Sequence, residues 1–302
     1  SFYLLPIDDM PSGEELYIKM NSRGKPLTEF ENFKARFERI LAEALTVERF
    51  NEIVHKFDGA WTDVLWPYHG GDHIVDDEFL RYLEFVIEVC EWRDDGGYGG
   101  SRLERAERVF GRENPNSQRN LDFLFHAFDT WDSADIDAVF ARHFRSATTA
   151  GIVETDRVTL FDTRNVNLFQ ECCRRYGQMN GKARLFSLSE TLLLFAVLVH
   201  RQFATDDVQG RLRTLRNLTD RSDEIRVNRM VDLIGGVERL IRDGAIEGLN
   251  GFNADRVSDE QLKHAFLAAH PDQEQVLYQL EDHPLLRGRV FAVDLDAGTL
   301  SR

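Results

Sequence analysis

The chain has 302 residues, of which 42% are hydrophobic and 29% charged, and its formal net charge is −15. A chain of this length can bury a large core in one or two domains, and it lacks the ~18 successive apolar residues of a membrane span. The acidic balance disfavours broad nucleic-acid binding, because affinity for DNA depends on neutralised phosphates. Three cysteines provide no disulfide framework, so we expect a reduced, cytoplasmic setting.

The hydrophobic pattern predicts a mostly α-helical protein, a multi-helix, bundle-like arrangement with a few short strands. Strands are predicted at 2–7, 158–161 and 290–293. Helices are predicted at 13–20, 29–45, 47–64, 76–92, 103–110, 118–131, 134–144, 165–176, 189–203, 207–220, 225–242 and 259–269, with Ser258 or Asp259 as the cap of the last one. The glycine-rich run at 94–101 is the predicted linker between a helical region at 1–93 and another at 102–302.

The most informative segment is 17–35, YIKMNSRGKPLTEFENFKA, which predicts two helices joined by a tight turn. Pro26 cannot continue the first helix, and Gly24 can adopt the positive φ that such a turn often needs. Thr28 is the expected N-cap of the second helix, and Glu31 is its reciprocal partner in a capping box.

The turn displays Asn21, Arg23 and Lys25 close to the free N–H groups at the start of the second helix. Corners of this kind suit anions, because the helix dipole is positive there and the N–H groups lack acceptors. A plain helix hairpin with solvated cations explains the same residues, and the pattern alone leaves both interpretations open.

Three stretches, in this order, resemble the GmrSD-type family, which is catalogued as domain of unknown function 262 (DUF262). The first is 17–35, which fits the family pattern Asn-x-Arg-Gly-Lys-x-Leu-(Ser/Thr). The second is LRTLRNL at 212–218, followed by Glu-Ile-Arg at 224–226, and the third is LEDHPLLRGR at 280–289. Residues 70–184 contribute nothing to the resemblance.

The resemblance implies a parent protein that hydrolyses a nucleoside triphosphate, with a divalent cation, and takes part in restriction of foreign or modified DNA. The family's catalytic motif, Asp-Gly-Gln-Gln-Arg in a ParB/sulfiredoxin-like fold, does not occur in this sequence. The His-Asn-His-type nuclease module of many relatives is not recognisable either. We therefore expect a non-catalytic C-terminal portion with no cofactor of its own. Its expected partners are the upstream ParB/sulfiredoxin-like domain and a nuclease module or subunit.

By the resemblance, Asn21, Arg23, Gly24 and Lys25 are candidates for binding nucleotide or phosphate. Arginine can contact phosphate oxygens bidentately, asparagine can contact a base or ribose, and lysine adds a point charge. Supporting roles are expected for a second set of residues: Glu29, Glu31, Lys34, Arg216, Asn217, His283 and Arg287.

Other interpretations remain open at this stage. A structural or protein-interaction module without nucleotide binding fits the acidic balance, and ion pairs that hold the turn at 283–289 explain Arg287 equally well. His69, Asp72 and His73 are weak metal-ligand candidates, which would make the chain a metal-dependent hydrolase. Residues 201–230 hold seven arginines against five acids, either as a local face for DNA or as an ion-pair network.

Overall fold

A computed structural model describes residues 28–71, 74–96, 99–147 and 156–290, and it confirms the mostly α-helical fold. The helices are α1 (Glu29–Ala44), α2 (Val47–Asp58), α3 (Ala60–Leu65), α4 (Asp76–Arg93), α5 (Arg102–Phe110), α6 (Ser117–Asp129), α7 (Ile136–His143), α8 (Leu168–Arg175), α9 (Leu188–Phe203), α10 (Val208–Thr219), α11 (Met230–Asp243), α12 (Ala254–Ala269) and α13 (Glu274–Glu281). Single 3₁₀ turns lie at Trp66–Tyr68, Val227–Arg229 and Pro271–Gln273.

The strands are short and stand apart from one another. β1 (Phe144–Ser146) pairs in parallel with β2 (Val158–Leu160), and β3 (Met179–Asn180) pairs antiparallel with β4 (Ala183–Arg184). β2 was predicted, whereas the other three strands were not. The predicted strand at 2–7, the predicted helix at 13–20 and all but the first residue of the predicted strand at 290–293 lie outside the described residues.

The start of α1 confirms the predicted capping box. The Thr28 hydroxyl accepts a hydrogen bond from the Glu31 N–H, and the Glu31 carboxylate accepts one from the Thr28 N–H at 2.8 Å. The predicted helix at 47–64 is interrupted at Gly59, whose φ of −128° and ψ of −110° are not helical. Helical periodicity continues through Gly59, so the apolar pattern alone could not reveal the break.

The centre of the core is α4, which packs against α5, α6, α8 and α11 and buries side chains on almost every face. Its Tyr82 hydroxyl donates to the Ala127 carbonyl at 2.6 Å and accepts from Trp131 Nε1 at 2.9 Å. Buried side chains from both sides of the glycine-rich run belong to one apolar core. The division into regions 1–93 and 102–302 stays a prediction.

The C-terminal helices differ most from the sequence prediction. α12 begins at Ala254, where the Asn253 side chain accepts from the Arg256 N–H, so neither Ser258 nor Asp259 is its cap. Instead, Asp259 lies on the buried face of that helix. The periodicity rule failed here because α12 turns charged rather than apolar residues inward. α13 was not predicted at all.

Candidate functional site

The second and third family-like stretches meet in space. α10 buries its whole second half, including the side chains of Arg213, Arg216 and Asn217. Arg213 Nη1 and Arg216 Nη2 each donate to Asp282 Oδ1 at 2.9 Å. Asn217 Nδ2 donates to Glu281 Oε1 at 2.8 Å. The two stretches, separated in sequence by more than sixty residues, therefore form a single interface.

A lysine from α12 completes this interface. Lys263 Nζ donates to Glu281 Oε1 at 2.8 Å and to the Gly288 carbonyl at 2.9 Å, and it also donates to Glu260. Lys263 is 1% exposed, and Glu260 and Glu281 are each 3% exposed. We call Arg213, Arg216, Asn217, Glu260, Lys263, Glu281 and Asp282 together the buried charge network.

Burial acts on the charges of this network, and their partners oppose it. Burial raises the pKa of the Glu260 carboxyl to about 7, because Lys263 offsets only part of the desolvation. Burial lowers the pKa of the Lys263 ammonium, but Glu260 and Glu281 outweigh it and the net direction is upward. Burial also lowers the pKa of Arg216, against the opposing effect of Asp282. Mutual pairing within the network therefore opposes the cost of burying its charges.

Arg287 joins the turn at 283–289 to the rest of the protein. Its Nε and Nη2 atoms donate bidentately to Asp220, both at 2.7 Å, and Nη2 also donates to Asp162 at 2.6 Å. These hydrogen bonds, led by the one to Asp220, raise the pKa of Arg287. The guanidinium lies 4.4 Å from the centre of the Phe161 ring. The structure therefore shows Arg287 in the ion pairs that the second interpretation of this residue predicted.

Gly288 explains how the turn comes so close to α10. Its φ is +82°, and a Cβ atom there would lie 2.2 Å from Asn217 Oδ1. Glycine is the residue type that adopts this backbone conformation without strain and leaves room for the amide.

A cavity of about 530 Å³ adjoins the network. Its walls come from the segment that ends β2 and leads to α8, from α8 itself, from the first turn of α9 and from the last turn of α10. Arg216 belongs to both features, because it lines the cavity while its Nη2 atom donates to Asp282. Phe161 also lines the cavity, with the Arg216 guanidinium 4.9 Å from its ring centre.

The acids of the cavity are already engaged. Asp162 and Asp220 accept from Arg287, and Arg175 contacts both Glu171 at 2.6 Å and Glu190 at 2.9 Å. All four carboxylates in the wall therefore have cationic partners.

Two arginine side chains in the cavity wall, in contrast, carry N–H donors that have no acceptor. Arg216 is 2% exposed, and its Nε atom has no hydrogen-bond partner. Within the described part of the chain, the exposed side chain of Arg164 makes no hydrogen bond or ion pair. A ligand in this cavity would thus meet unpaired donors rather than unpaired acceptors.

The four nucleotide-binding candidates, Asn21, Arg23, Gly24 and Lys25, lie outside the described residues. The supporting residues next to them have partners of their own. Glu29 accepts from Arg102 Nη1 at 2.7 Å, Glu31 serves in the capping box, and Lys34 pairs with Asp58 and, at 3.8 Å, with Glu38.

Of the later supporting residues, the structure brings Arg216, Asn217 and Arg287 together and leaves His283 apart. His283 is exposed, and its Nδ1 atom accepts from the Leu285 N–H at 3.2 Å. It therefore shapes its own turn and does not touch the buried charge network.

The weak metal candidates are only partly described. His69 stacks on Trp66, with its Nδ1 atom 2.6 Å from the Trp66 carbonyl oxygen, whereas Asp72 and His73 lie outside the described residues. Where side chains are described, no three His, Cys, Asp or Glu residues are grouped so that they could hold a metal ion. Nor does any described helix combine the length and apolar character needed to cross a membrane.

Sequence reasoning missed Glu260, Lys263 and Arg164. Glu260 and Lys263 are three residues apart, a spacing typical of an ion pair on a solvated helix face, so nothing marked them as buried. The one hint in the sequence is Leu262 between them: the structure leaves this apolar side chain 59% exposed, on a different side of α12 from the buried charges.

A scan against protein-family models, a search of curated proteins and a search of solved structures each find no match to this chain. The fold and the site define a helical protein with a buried charge network and an adjoining cavity.

Proposed function

We propose that the chain is the helical C-terminal portion of a GmrSD-like, DUF262-type cytoplasmic protein that acts in restriction of foreign or modified DNA. In this proposal the portion is non-catalytic. It supports a site for a nucleoside triphosphate and a divalent cation, whose catalytic residues belong to an upstream ParB/sulfiredoxin-like domain. A nuclease module or subunit is the further partner.

The observation that carries the proposal is the junction of the second and third family-like stretches. The resemblance links them only by their order in the sequence, yet Arg213 and Arg216 pair with Asp282, and Asn217 bonds to Glu281. A buried interface of charged groups is specific in geometry, which suits a scaffold that has to hold a site on a neighbouring domain.

The first stretch adds a second line of support. The capping box of Thr28 and Glu31 fixes the start of α1 directly after the segment that carries Asn21, Arg23 and Lys25. A fixed helix start is what an anion-binding corner requires, because its N–H groups must keep their directions when no ligand is bound.

A second candidate function is a structural or protein-interaction module that binds no nucleotide. The observation that favours it is that the three cations among the expected supporting residues are already paired with carboxylates. Lys34 contacts Asp58, Arg216 contacts Asp282 and Arg287 contacts Asp220. An N–H group that already donates to a carboxylate is a poor phosphate ligand, since binding would break the existing pair.

The test is the thermal stability of the chain with ATP, GTP and UTP in the presence of Mg²⁺. A ligand at a hundred times its Kd stabilises a protein by about 2.7 kcal/mol, which a thermal shift detects easily. Arg23→Ala is the test variant. Arg112→Ala is the matched control, because Arg112 is exposed and pairs only with its exposed neighbour Glu113.

The proposal requires a nucleotide-dependent shift in the wild-type chain and in Arg112→Ala, and its loss in Arg23→Ala. A chain that responds to none of the three nucleotides would favour the interaction module. An equal shift in all three proteins would place any nucleotide site away from Arg23.

A further inference from the structure

We propose that the cavity between α8, α9 and α10 binds a small molecule that carries an oxyanion, a carboxylate or a phosphate, on an apolar body. The inference does not rest on the proposed function: it uses none of the four nucleotide-binding candidates, and it takes Arg216 only for its position in the cavity wall. It follows from which polar groups of the wall are paired and which are not.

The negative charge of the ligand follows from which charged groups in the cavity wall are paired and which are not. Asp162, Asp220, Glu171 and Glu190 all have cationic partners, so a cationic ligand would have to displace an arginine. Arg216, in contrast, has a free Nε donor although its side chain is almost completely buried. The Arg216 guanidinium lies in the cavity wall beside the Phe161 ring, so its positive charge favours an anion in the cavity.

Arg164 supplies a second unpaired charge at the same cavity. Its guanidinium is exposed at the wall and makes no ion pair within the described ranges. Arginine presents two parallel N–H groups that match the two oxygens of a carboxylate or a phosphate. The cavity wall therefore holds the guanidinium groups of both Arg164 and Arg216.

The start of α9 adds to the preference of the cavity for an anion, although the inference does not depend on it. The helix is 16 residues long, and its capping box satisfies the N–H groups of Ser187 and Glu190. The N–H groups between them, at Leu188 and Ser189, have no acceptor within the helix because of their position in its first turn. The positive end of the helix dipole thus lies in the cavity wall.

The apolar body follows from the rest of the wall. Leu160, Phe161, Leu185 and Leu193 line the cavity. The volume of about 530 Å³ lies within the range of roughly 300–1,000 Å³ that is usual for sites of small organic ligands. A bare inorganic ion would fill only a small part of this space and would leave the apolar side chains facing water.

The experiment compares three probes of one shape by isothermal titration calorimetry on the full chain. Benzoate and phenyl phosphate carry an oxyanion on a phenyl ring, whereas benzamidine carries a cation on the same ring. We expect saturable binding of at least one oxyanion with a Kd below about 10 mM, and at least about tenfold weaker binding of benzamidine. The tighter of the two oxyanions identifies the head group.

Three variants locate the site. Arg164→Ala should weaken oxyanion binding about fivefold, and Arg164→Glu should weaken it further, because a carboxylate at the mouth repels the ligand. Neither variant should change the denaturation midpoint, since the exposed Arg164 side chain has no hydrogen bond or ion pair to lose among the described residues. Arg174→Ala is the control, because Arg174 is an exposed arginine on α8 that does not line the cavity.

Three results would overturn the inference. One is that neither oxyanion binds at concentrations up to about 10 mM. Another is that benzamidine binds as tightly as the oxyanions do. The third is oxyanion binding that Arg164→Glu leaves unchanged, since the bound anion would then lie elsewhere on the protein.

Discussion

Replacing Lys263 by methionine tests whether the buried charge network is a set of mutually dependent charges. Methionine has about the length of the lysine stem but no charge, so the change removes the ammonium and little of the packing. It leaves Asp259, Glu260 and Glu281 facing one another without their shared cation, on side chains that are at most 4% exposed.

The expected loss can be worked out from the contacts of Nζ. The ammonium donates to Glu281 Oε1 at 2.8 Å and to the Gly288 carbonyl at 2.9 Å, besides its contact with Glu260. A hydrogen bond to a charged group contributes roughly 1.5–3 kcal/mol. Removal of one partner from a buried ion pair costs about 3–5 kcal/mol. The second range counts the loss of the whole pair and places the decrease in the free energy of unfolding at about 4 kcal/mol.

The assay is urea denaturation followed by circular dichroism at pH 7. Lys182→Met is the matched control, because Lys182 is exposed and should lose less than about 0.5 kcal/mol. The double variant Lys263→Met/Glu260→Gln should recover part of the loss, because it removes one of the unpaired negative charges. The interaction term from this double-mutant cycle should reach at least about 1 kcal/mol.

The pH dependence supplies an independent check. Burial already raises the pKa of Glu260 to about 7 with Lys263 in place, and without the ammonium it should rise further. A carboxyl whose pKa is raised on folding stabilises the protein at low pH and loses that effect as the pH rises through the folded-state value. Lys263→Met should therefore regain stability between pH 7 and pH 5. A loss below about 1 kcal/mol, with no such recovery, would refute the reasoning.

Three further variants test other parts of the structure. Gly288→Ala should destabilise the protein by at least about 1–3 kcal/mol in urea denaturation, because a Cβ atom at its φ of +82° would lie 2.2 Å from Asn217 Oδ1. Tyr82→Phe should cost about 1–3 kcal/mol in the same assay, since Trp131 Nε1 would lose its buried acceptor; an unchanged midpoint would argue against this hydrogen bond. Burial and, to a smaller extent, the nearby His200 lower the pKa of His143 to about 4. The wild-type protein should therefore lose stability as the pH falls from 6.5 towards 4. Unfolding measured across this range should show a loss of which His143 contributes up to about 3 kcal/mol. The loss should be smaller in His143→Gln, where His126, His200 and His264, whose pKa values burial also lowers, still contribute.

Much of the fold could be predicted because most helices bury apolar residues that recur at helical spacing. α1 buries Phe33, Phe37 and Leu41, which recur at helical spacing and follow a cap that the sequence also displays. α4 has the same helical periodicity over residues 79–90, and α9 contains the apolar run 192–199. Where burial follows hydrophobicity, periodicity in the sequence is enough to place the helix.

The prediction failed where the buried residues of a helix are charged. Asp259, Glu260 and Lys263 are polar by every scale, and the partners that make their burial possible lie on α13 and in the turn at 283–289. A single sequence does not reveal such distant pairing. β1 was missed for a similar reason, because its three residues gain a strand partner only through β2.

The candidate site was predictable only in part. Arg216, Asn217 and Arg287 were selected by the resemblance, and the structure brings all three to one place. Their acceptors, Asp282, Glu281 and Asp220, could not be assigned from spacing. Arg164 carried no signal at all, because what distinguishes it is its position in the cavity wall without a partner, which only the surrounding structure reveals.

The charged inner face of α12 has a consequence for how the C-terminal segment assembles. An apolar helix face can slide by a turn along its neighbour and still exclude water, so its position is only loosely specified. Lys263 has no such freedom, because a shift of one turn, about 5.4 Å, would separate its ammonium from Glu281 and from the Gly288 carbonyl together. We therefore expect residues 254–290 to attach in one register or to detach as a unit. Native-state hydrogen exchange would then show a common opening for the amides of α12 and α13.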